Sequence, residues 1–252
     1  MSYVELFSGH AGAYAAARPR YPDDLFDWLA AVAPRTALAW DCATGNGQAA
    51  VGLASRFARV IATDASTSQL AHAVPHPRVE YRQAIAESSG LEAASVDAIA
   101  VAQALHWLDL PAFYVEAGRV LRRDGVLAAW SYNRPRVTPA IDAEVDRLHD
   151  DTLRGYWSDR RRWVDEGYAA VELPFEALDP PSIAMGDEWT LAQFAAYVRT
   201  WSAVQRYIAA RGRDPVNAME YALRPLWGEP HERRPVRWPL SIRAGRCGEC
   251  GR

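Results

Sequence analysis

A glycine-rich stretch in the first quarter of the chain carries the residues with the clearest chemistry. Residues 37–50 read ALAWDCATGNGQAA, in which an apolar run leads into Asp41 and is followed by Gly45 and Gly47. This pattern predicts a buried strand, a tight turn and the first turn of a helix. Glycines let a backbone turn sharply and approach a ligand closely. Because Gly45, Gly47 and Ala50 also fit the G-x-G-x-x-(G/A) pattern of dinucleotide-binding loops, we expect a ligand at this turn.

Two carboxylates accompany the glycine turn. Asp64 ends the next apolar run, residues 60–63, where an acidic side chain can bind both hydroxyls of a ribose. Asp41 ends the first predicted strand, where a carboxylate would crowd a pyrophosphate but suits a ligand with a positive amino group. The two residues together indicate a ligand that carries both a ribose and an amino group.

A third set of candidate residues follows a later apolar run. Residues 97–104 read DAIAVAQA and predict a fully buried strand, after which come His106 and Trp107. His106 has two functional interpretations, as a wall of the ligand pocket or as a general base. A histidine beside a tryptophan at a strand end is also typical of a core residue whose ring nitrogens are both paired.

Alternating strands and helices must position these residues. Apolar runs predict strands at 37–42, 59–63, 79–83, 97–104 and 126–132, with helical segments between them. This alternation predicts an α/β fold with a parallel sheet and right-handed crossovers. Ligands of such sheets bind beyond the carboxyl ends of the strands. The polar residues predicted at that edge are Asp41, Asp64, Gln83, His106 and Tyr132.

The pattern changes after Asn133. Residues 134–230 contain five of the ten tryptophans and predict helices without a clear strand, as an insertion after the fifth strand. One helix is predicted to carry an apolar stripe from Leu191 to Ile208, with Arg199 and Arg206 on its other side. A last strand is predicted at 236–242. The predicted domains are a ligand-binding core with an N-terminal strap at 1–133, a helical substrate cap at 134–230, and a final strand with tail at 231–252.

Composition narrows the classes of function. With 252 residues the chain is long enough for one domain with an insertion, and its net charge of −3 argues against nucleic acid or anionic membrane partners. No apolar run approaches the roughly 18 residues that span a bilayer, and the first residues lack the features of a signal peptide. We therefore expect a cytoplasmic protein. Among the three cysteines, Cys42 is predicted as a packing residue, and the pair Cys247 and Cys250 offers too few ligands for zinc, which indicates a frayed tail and no metal.

Several motifs resemble those of a known family. WDCATGNGQ resembles the first motif and SVDAIAVAQALHW the fourth motif of the class I S-adenosylmethionine-dependent methyltransferases. YAAARPRYP and RTWSAVQRY resemble the small-molecule branch that includes trans-aconitate methyltransferase. The resemblance runs from about Tyr14 to Tyr132. It implies a Rossmann-like doubly wound, mostly parallel sheet, a helical cap inserted after the fifth strand, and S-adenosyl-L-methionine as cofactor.

The motifs and this resemblance together indicate the site residues. Ile85 stands where the family often has an aspartate, so a contact with adenine there must come from the backbone and from apolar packing. His106 is the catalytic candidate, and no metal is expected. The predicted cofactor-binding residues are Asp41, Ala43, Gly45, Gly47, Asp64, Ala65, Ile85, Ala86 and Gln103. The predicted acceptor-binding residues are Tyr14, Arg18, Tyr21, His106, Trp107, Arg199 and Trp201.

The expected reaction is methyl transfer to a small molecule, through a carboxylate that becomes a methyl ester or through a hydroxyl. A carboxylate is ionised at neutral pH and needs no base, whereas a hydroxyl needs one, for which His106 is the candidate. Two alternatives stay open. An NAD-type oxidoreductase shares the glycine loop, although Asp41 and the missing third glycine argue against it. The other alternative is a non-catalytic module that binds the cofactor and regulates a partner. A monomer or a homodimer is expected.

Overall fold

The computed structural model describes residues 18–248, so the predictions for Tyr14 and Cys250 lie outside the described residues. The strands are β1 Leu38–Cys42, β2 Arg59–Asp64, β3 Val79–Gln83, β4 Val96–Ala102, β5 Leu121–Tyr132, β6 Glu176–Leu178, β7 Gly186–Trp189, β8 Arg234–Arg237 and β9 Leu240–Arg246. The α-helices are α1 Asp23–Val32, α2 Gln48–Ala54, α3 Thr67–Leu70, α4 Leu110–Val120, α5 Pro139–Arg147, α6 Arg161–Asp165, α7 Leu191–Arg199, α8 Ser202–Arg211 and α9 Val216–Trp227.

Seven of the strands form one sheet in the order β3-β2-β1-β4-β5-β9-β6. The first five strands are parallel, and β9 runs antiparallel to both β5 and β6. The apolar runs of β1 and β4 are buried on both faces, as is usual for the central strands of a parallel sheet. The predicted Rossmann-like, doubly wound and mostly parallel sheet is therefore confirmed.

Each face of the sheet packs against its own helices. Alternate residues of a strand point to opposite faces, and in β1 Ala39 belongs to one apolar cluster while Trp40 belongs to the other. The Ala39 face is covered by Leu25, Phe26 and Leu29 of α1 and by the alanines and Leu53 of α2. The Trp40 face is covered by α4 and by residues from the segment 164–175. These two layers fix the strand ends that carry the candidate site.

Contacts divide the chain into two units. Among the described residues, the sheet unit contains Arg20–Asn133, Arg162–Ile183 and residues 240–248, and the helical unit contains Arg18, Pro19, Arg134–Arg161 and Ala184–Pro239. This division differs from the predicted boundaries, because residues 162–183 lie within the predicted cap but group with the sheet. The reason is that β6 pairs with β9 at the edge of the seven-stranded sheet.

The segments after β5 also correct three local predictions. Residues 134–230 contain two strands, β6 and β7, where none was predicted. The predicted last strand at 236–242 is two strands, β8 paired with β7 and β9 in the main sheet. Pro239 stands between them and has no N–H for a sheet ladder. Cys247 is buried, and its N–H donates to the carbonyl of Gly125 (2.8 Å), so this residue is not part of a frayed tail.

Candidate active site

The turn between β1 and α2 has a backbone that favours glycine. Ala43, Gly45 and Gly47 all have positive φ values, of 55°, 58° and 85°. A Cβ on Gly47 would also lie 2.2 Å from the hydroxyl oxygen of Tyr81, so side-chain space is lacking there as well. At Gly45 the nearest atom to such a Cβ is 3.9 Å away, so only the backbone conformation requires glycine. The predicted glycine turn is present, and a Cβ at Gly45 would be in ordinary contact with the side-chain oxygen of Gln69.

Asp64 connects the end of β2 to this turn. Its Oδ2 accepts a hydrogen bond from the N–H of Gly45 and its Oδ1 accepts one from the N–H of Ser66, both at 2.8 Å. Burial raises the pKa of Asp64, and the two backbone hydrogen bonds oppose that rise. Each carboxylate oxygen has further acceptor capacity, so a ribose diol could bind a carboxylate whose orientation is already fixed.

Asp41 is a fully buried carboxylate at the end of β1. Its Oδ2 accepts a hydrogen bond from the hydroxyl of Thr44 (2.5 Å). Its Oδ1 has no donor in hydrogen-bonding geometry among residues 18–248. Burial raises the pKa of Asp41 to about 7, against the lowering effects of the Thr44 hydroxyl and the Ala50 amide, and the charge of Asp64 adds to the rise. A cationic ligand group beside Oδ1 would stabilise the ionised form.

Asn46, which is not among the predicted site residues, lies in the same turn and is also buried. Its side-chain Nδ2 has no acceptor among the described residues. The turn thus holds one buried acceptor and one buried donor that lack partners within residues 18–248. Buried polar atoms of this kind are rare in folded proteins and point to a ligand or water.

The end of β4 bears Gln103 and His106. Gln103 has a positive φ of 55°, and its side-chain Nε2 donates to the carbonyl oxygen of Tyr132 at the end of β5 (3.0 Å). His106 lies in the 3₁₀ turn Leu105–Trp107, is buried, and packs its ring 4.8 Å from the ring of Trp107. Its Nδ1 lies 2.9 Å from the hydroxyl oxygen of Tyr168. Tyr168 was not predicted, because no local pattern connects it to a histidine 62 residues earlier.

The residues after β2 and β3 lie beside Asp64. The N–H of Ala84 donates to the carbonyl oxygen of Asp64 (3.1 Å), and Gln83 Nε2 donates to the carbonyl oxygen of Ala65 (3.3 Å). Ile85 is 52% exposed, whereas Ala86 is buried. Ile85 directly follows Ala84, which bonds to Asp64, and its exposed apolar side chain offers packing surface for a flat base, which is the kind of contact predicted for Ile85.

Tyr21, before α1, is partly buried in the sheet unit. Its ring lies 5.7 Å from the ring of Trp130 and 6.2 Å from that of Tyr132, both on β5. Tyr21 therefore lies at the same strand end as Gln103, which bonds to Tyr132.

Three predicted acceptor residues belong to the helical unit. The guanidinium carbon of Arg18 lies 5.7 Å from the ring centre of Tyr197. Trp201 is buried and packs against the rings of Trp157 and Tyr197. The single helix predicted to carry the stripe is broken at Trp201 into α7 and α8.

Arg199 does not offer its charge as the sequence analysis expected. Its Nε donates to Asp214 (2.7 Å), and its Nη2 donates to Glu220 (2.8 Å) and Asn217 (2.9 Å). Two carboxylates of the same unit thus neutralise this guanidinium. We withdraw Arg199 from the acceptor-binding set for this reason.

The residues of the β1–α2 turn fit the cofactor that the motifs imply. S-adenosylmethionine carries an amino acid end with a positive ammonium and a carboxylate, and these groups complement Asp41 Oδ1 and Asn46 Nδ2. Its ribose complements the fixed carboxylate of Asp64. Within residues 18–248, no cluster of three or more His, Cys, Asp or Glu side chains is arranged to hold a metal. None of the helices in that range has the length and hydropathy to cross a bilayer.

The fold and this turn define a class of α/β proteins that bind a nucleoside-containing cofactor at the carboxyl ends of parallel strands. Comparisons with known proteins narrow the class. Residues 40–129 match the family described as "Methyltransferase domain". A Dictyostelium discoideum protein assigned as a methyltransferase is 34% identical over 216 residues, which cover 84% of this chain and 82% of that protein. A Saccharomyces cerevisiae protein assigned as an S-adenosylmethionine-dependent methyltransferase is 28% identical over 225 residues, 75% of this chain and 77% of that one.

A solved structure gives the same result. The structure of a protein from Anaeromyxobacter dehalogenans, assigned as a type II methyltransferase, has a TM-score of 0.86 and 44% identity, and covers 92% of this chain and 98% of that one. The chain belongs to the class I S-adenosylmethionine-dependent methyltransferases. It is therefore an enzyme of the methyltransferase class, and the oxidoreductase alternative is not retained. Membership of the trans-aconitate branch stays a prediction.

Proposed function

We propose that the protein transfers a methyl group from S-adenosylmethionine to a small organic acceptor, with a carboxylate as the first candidate and a hydroxyl as the second. The observation that carries the cofactor assignment is the buried oxygen of Asp41, which lacks a donor among residues 18–248 and lies in the glycine turn. A cationic group bound there would stabilise a carboxylate whose pKa burial raises to about 7.

We assign the parts of the cofactor to residues of the sheet unit. Asp64 would hold the ribose, Asp41 and Asn46 the amino acid end, and Ile85 with Ala86 the adenine. Gly45 has no side chain and a positive φ, which supports close approach of a ligand to the backbone there. Ala43, Gly47, Ala65 and Gln103 remain proposed cofactor-binding residues on the strength of the matched motifs.

The residues at the end of β4 would contribute mainly by orientation. When bound, S-adenosylmethionine supplies a methyl group on a positively charged sulfur. The chain must hold the acceptor oxygen in line with that methyl and exclude water, and such positioning accounts for much of the rate in reactions of this type. The buried ring of His106, packed against Trp107, supports a water-excluding wall at this strand end.

We assign acceptor recognition to Tyr14, Arg18, Tyr21, Trp107 and Trp201. We assign the role of the substrate domain to the helical unit. Arg18 lies within the matched YAAARPRYP motif. An arginine binds a carboxylate through two parallel hydrogen bonds and keeps its charge at any working pH. This chemistry favours a carboxylate over a hydroxyl.

The test is a panel of small carboxylic acids (trans-aconitate among them), phenols and amines, incubated with the protein and with S-adenosylmethionine labelled in the methyl group. We expect label in a product that mild base hydrolyses, as a methyl ester is. In Arg18→Lys we expect KM for that carboxylate to rise about tenfold, because the bidentate geometry is lost, with unchanged affinity for S-adenosylhomocysteine. Arg20→Lys, two residues along, is the control and should leave KM unchanged.

Each other outcome has a defined meaning. Label only in base-stable products would exclude the ester and shift the assignment to a hydroxyl or amine acceptor. Tight binding of S-adenosylhomocysteine without label on any acceptor would contradict the proposal and favour the regulatory module.

A further inference from the structure

Tyr168 reaches the end of β4 from a distant part of the sequence. It belongs to the segment 162–183, which groups with the sheet unit although the chain on both sides of it belongs to the helical unit. Its side chain is fully buried, and its hydroxyl oxygen lies 2.9 Å from His106 Nδ1. His106 and Tyr168 therefore form a buried polar contact, although they lie 62 residues apart in the sequence.

The backbone at this tyrosine is held in an uncommon conformation. Tyr168 has a φ of 58°, directly after Gly167 with a φ of 60°. Bulky side chains rarely adopt this left-handed region, and residues held there concentrate at functional sites. A Cβ on Gly167 would lie 2.4 Å from the hydroxyl oxygen of Ser241, so the turn packs closely against β9.

Hydrogen bonds hold the turn on several sides. The N–H of Tyr168 donates to the carbonyl oxygen of Trp163 (2.7 Å), and Asn133 Nδ2 donates to the carbonyl oxygen of Asp165 (2.8 Å). Arg243 of β9 donates to the carbonyl oxygen of Val171 (3.3 Å). The structure thus fixes the direction from which the phenol meets the imidazole.

The chemistry of the two groups favours one direction for the proton between them. A phenol O–H is a stronger acid than a neutral imidazole N–H, and an imidazole nitrogen is a stronger base than a phenol oxygen. We propose that Tyr168 is a positioning residue, which donates its hydroxyl hydrogen to Nδ1 of His106 and so holds the neutral imidazole as the tautomer protonated on Nε2.

The significance of this tautomer rests on the proposed function. There it determines whether His106 can act as a base or as a hydrogen-bond donor towards the acceptor. With Nδ1 engaged by the phenol, proton exchange between His106 and an acceptor passes through Nε2. A neutral imidazole that already carries its proton on Nε2 is a hydrogen-bond donor and not a base at that nitrogen. Such a donor complements a carboxylate acceptor, which is ionised and needs no base.

The test measures which ring nitrogen of His106 carries the proton, by ¹⁵N spectra of the histidine side chains at a pH where His106 is neutral. His106→Gln assigns the signals by their loss. We expect the proton on Nε2 and an unprotonated, hydrogen-bonded signal for Nδ1. A proton on Nδ1 in the wild-type protein would overturn the proposal, and this measurement does not depend on turnover.

Tyr168→Phe keeps the ring and removes the hydroxyl. We expect its Nδ1 signal to move to the position of a nitrogen without a hydrogen bond, while affinity for S-adenosylhomocysteine changes less than twofold. The matched control is Tyr114→Phe, because the Tyr114 hydroxyl is buried without a partner among the described residues, and His106 signals should not move there. An unchanged Nδ1 signal in Tyr168→Phe would refute the role of the phenol. Absence of methyl transfer to any acceptor would contradict the proposed function alone.

Discussion

Replacing Asp41 with asparagine tests the assignment of its carboxylate to the ammonium of the cofactor. Burial raises the pKa of Asp41 from 3.8 to about 7. At 1.36 kcal/mol per pKa unit, this difference means that the free protein favours the protonated carboxyl by roughly 4 kcal/mol more than water does for an ordinary aspartate. A bound ammonium would favour the ionised form instead, so binding below pH 7 must release a proton.

The expected result is a pH-dependent affinity in the wild-type protein only. Affinity for S-adenosylhomocysteine should rise by up to about tenfold per pH unit between pH 5.5 and 7, and level off above pH 7. In Asp41→Asn the affinity should be flat over this range. At pH 8 it should be weaker than wild type by roughly 1.5–3 kcal/mol, the usual contribution of a hydrogen bond to a charged group.

Calorimetry in two buffers of different ionisation enthalpy measures both the affinity and the number of protons released on binding. About one proton should be released at pH 5.5 and almost none at pH 8, since about one group titrates. The control is Asp27→Asn on α1, which removes an exposed carboxylate that pairs with Arg56 and should keep the wild-type profile. Equal pH dependence in wild type and Asp41→Asn would contradict the assignment of Asp41 to the ammonium of the cofactor.

The same variant tests the sign of the effect on stability. Because the folded-state pKa of Asp41 is raised, the folded protein holds a proton between about pH 4 and 7 that the unfolded chain has lost. The contribution of protonated Asp41 to the stability of the folded protein is therefore fully present below about pH 4, and it is lost as the pH rises to about 7. Thermal unfolding of the ligand-free protein should show this loss in wild type and not in Asp41→Asn.

Two further substitutions test packing and ion pairing. Gly47→Ala should lower the free energy of unfolding by roughly 1–3 kcal/mol, because of its positive φ and the overlap with Tyr81. Urea unfolding measures this, and an unchanged free energy of unfolding would contradict it. Arg199→Met should destabilise the protein by about 1–3 kcal/mol, since it leaves Asp214 and Glu220 without their cation. KM for the acceptor should stay within twofold of the wild-type value. A large rise in KM with unchanged stability would return Arg199 to the acceptor site.

The elements that sequence patterns predicted well are those with local signals. β3 was predicted with its observed bounds, and β1 and β2 to within one residue at each end. Asp64 and the glycine turn were recognisable because fixed spacing and a tight backbone conformation leave a pattern in the sequence. The continuous apolar run at residues 97–104 likewise predicted the buried strand that is observed as β4.

What could not be predicted depends on partners far apart in the sequence. Arg199 occupies the expected helix, but its charge is neutralised by residues 15 and 21 positions later. The break between α7 and α8 occurs where Trp201 packs on Trp157, without a glycine or proline in that stretch. Asn46 gave no signal beyond its place between two glycines, and Tyr168 gave none at all.

The position of β9 has a consequence for how the protein is made. This strand is the last in sequence among those described, yet it lies between β5 and β6 inside the sheet. While residues 133–239 emerge from the ribosome, one edge of β5 has no neighbour, and β6 has nothing to pair with. Exposed strand edges of nascent chains invite aggregation. We expect chains released from the ribosome that stop before Leu240 to be captured by chaperones, and released chains that include β9 to escape them.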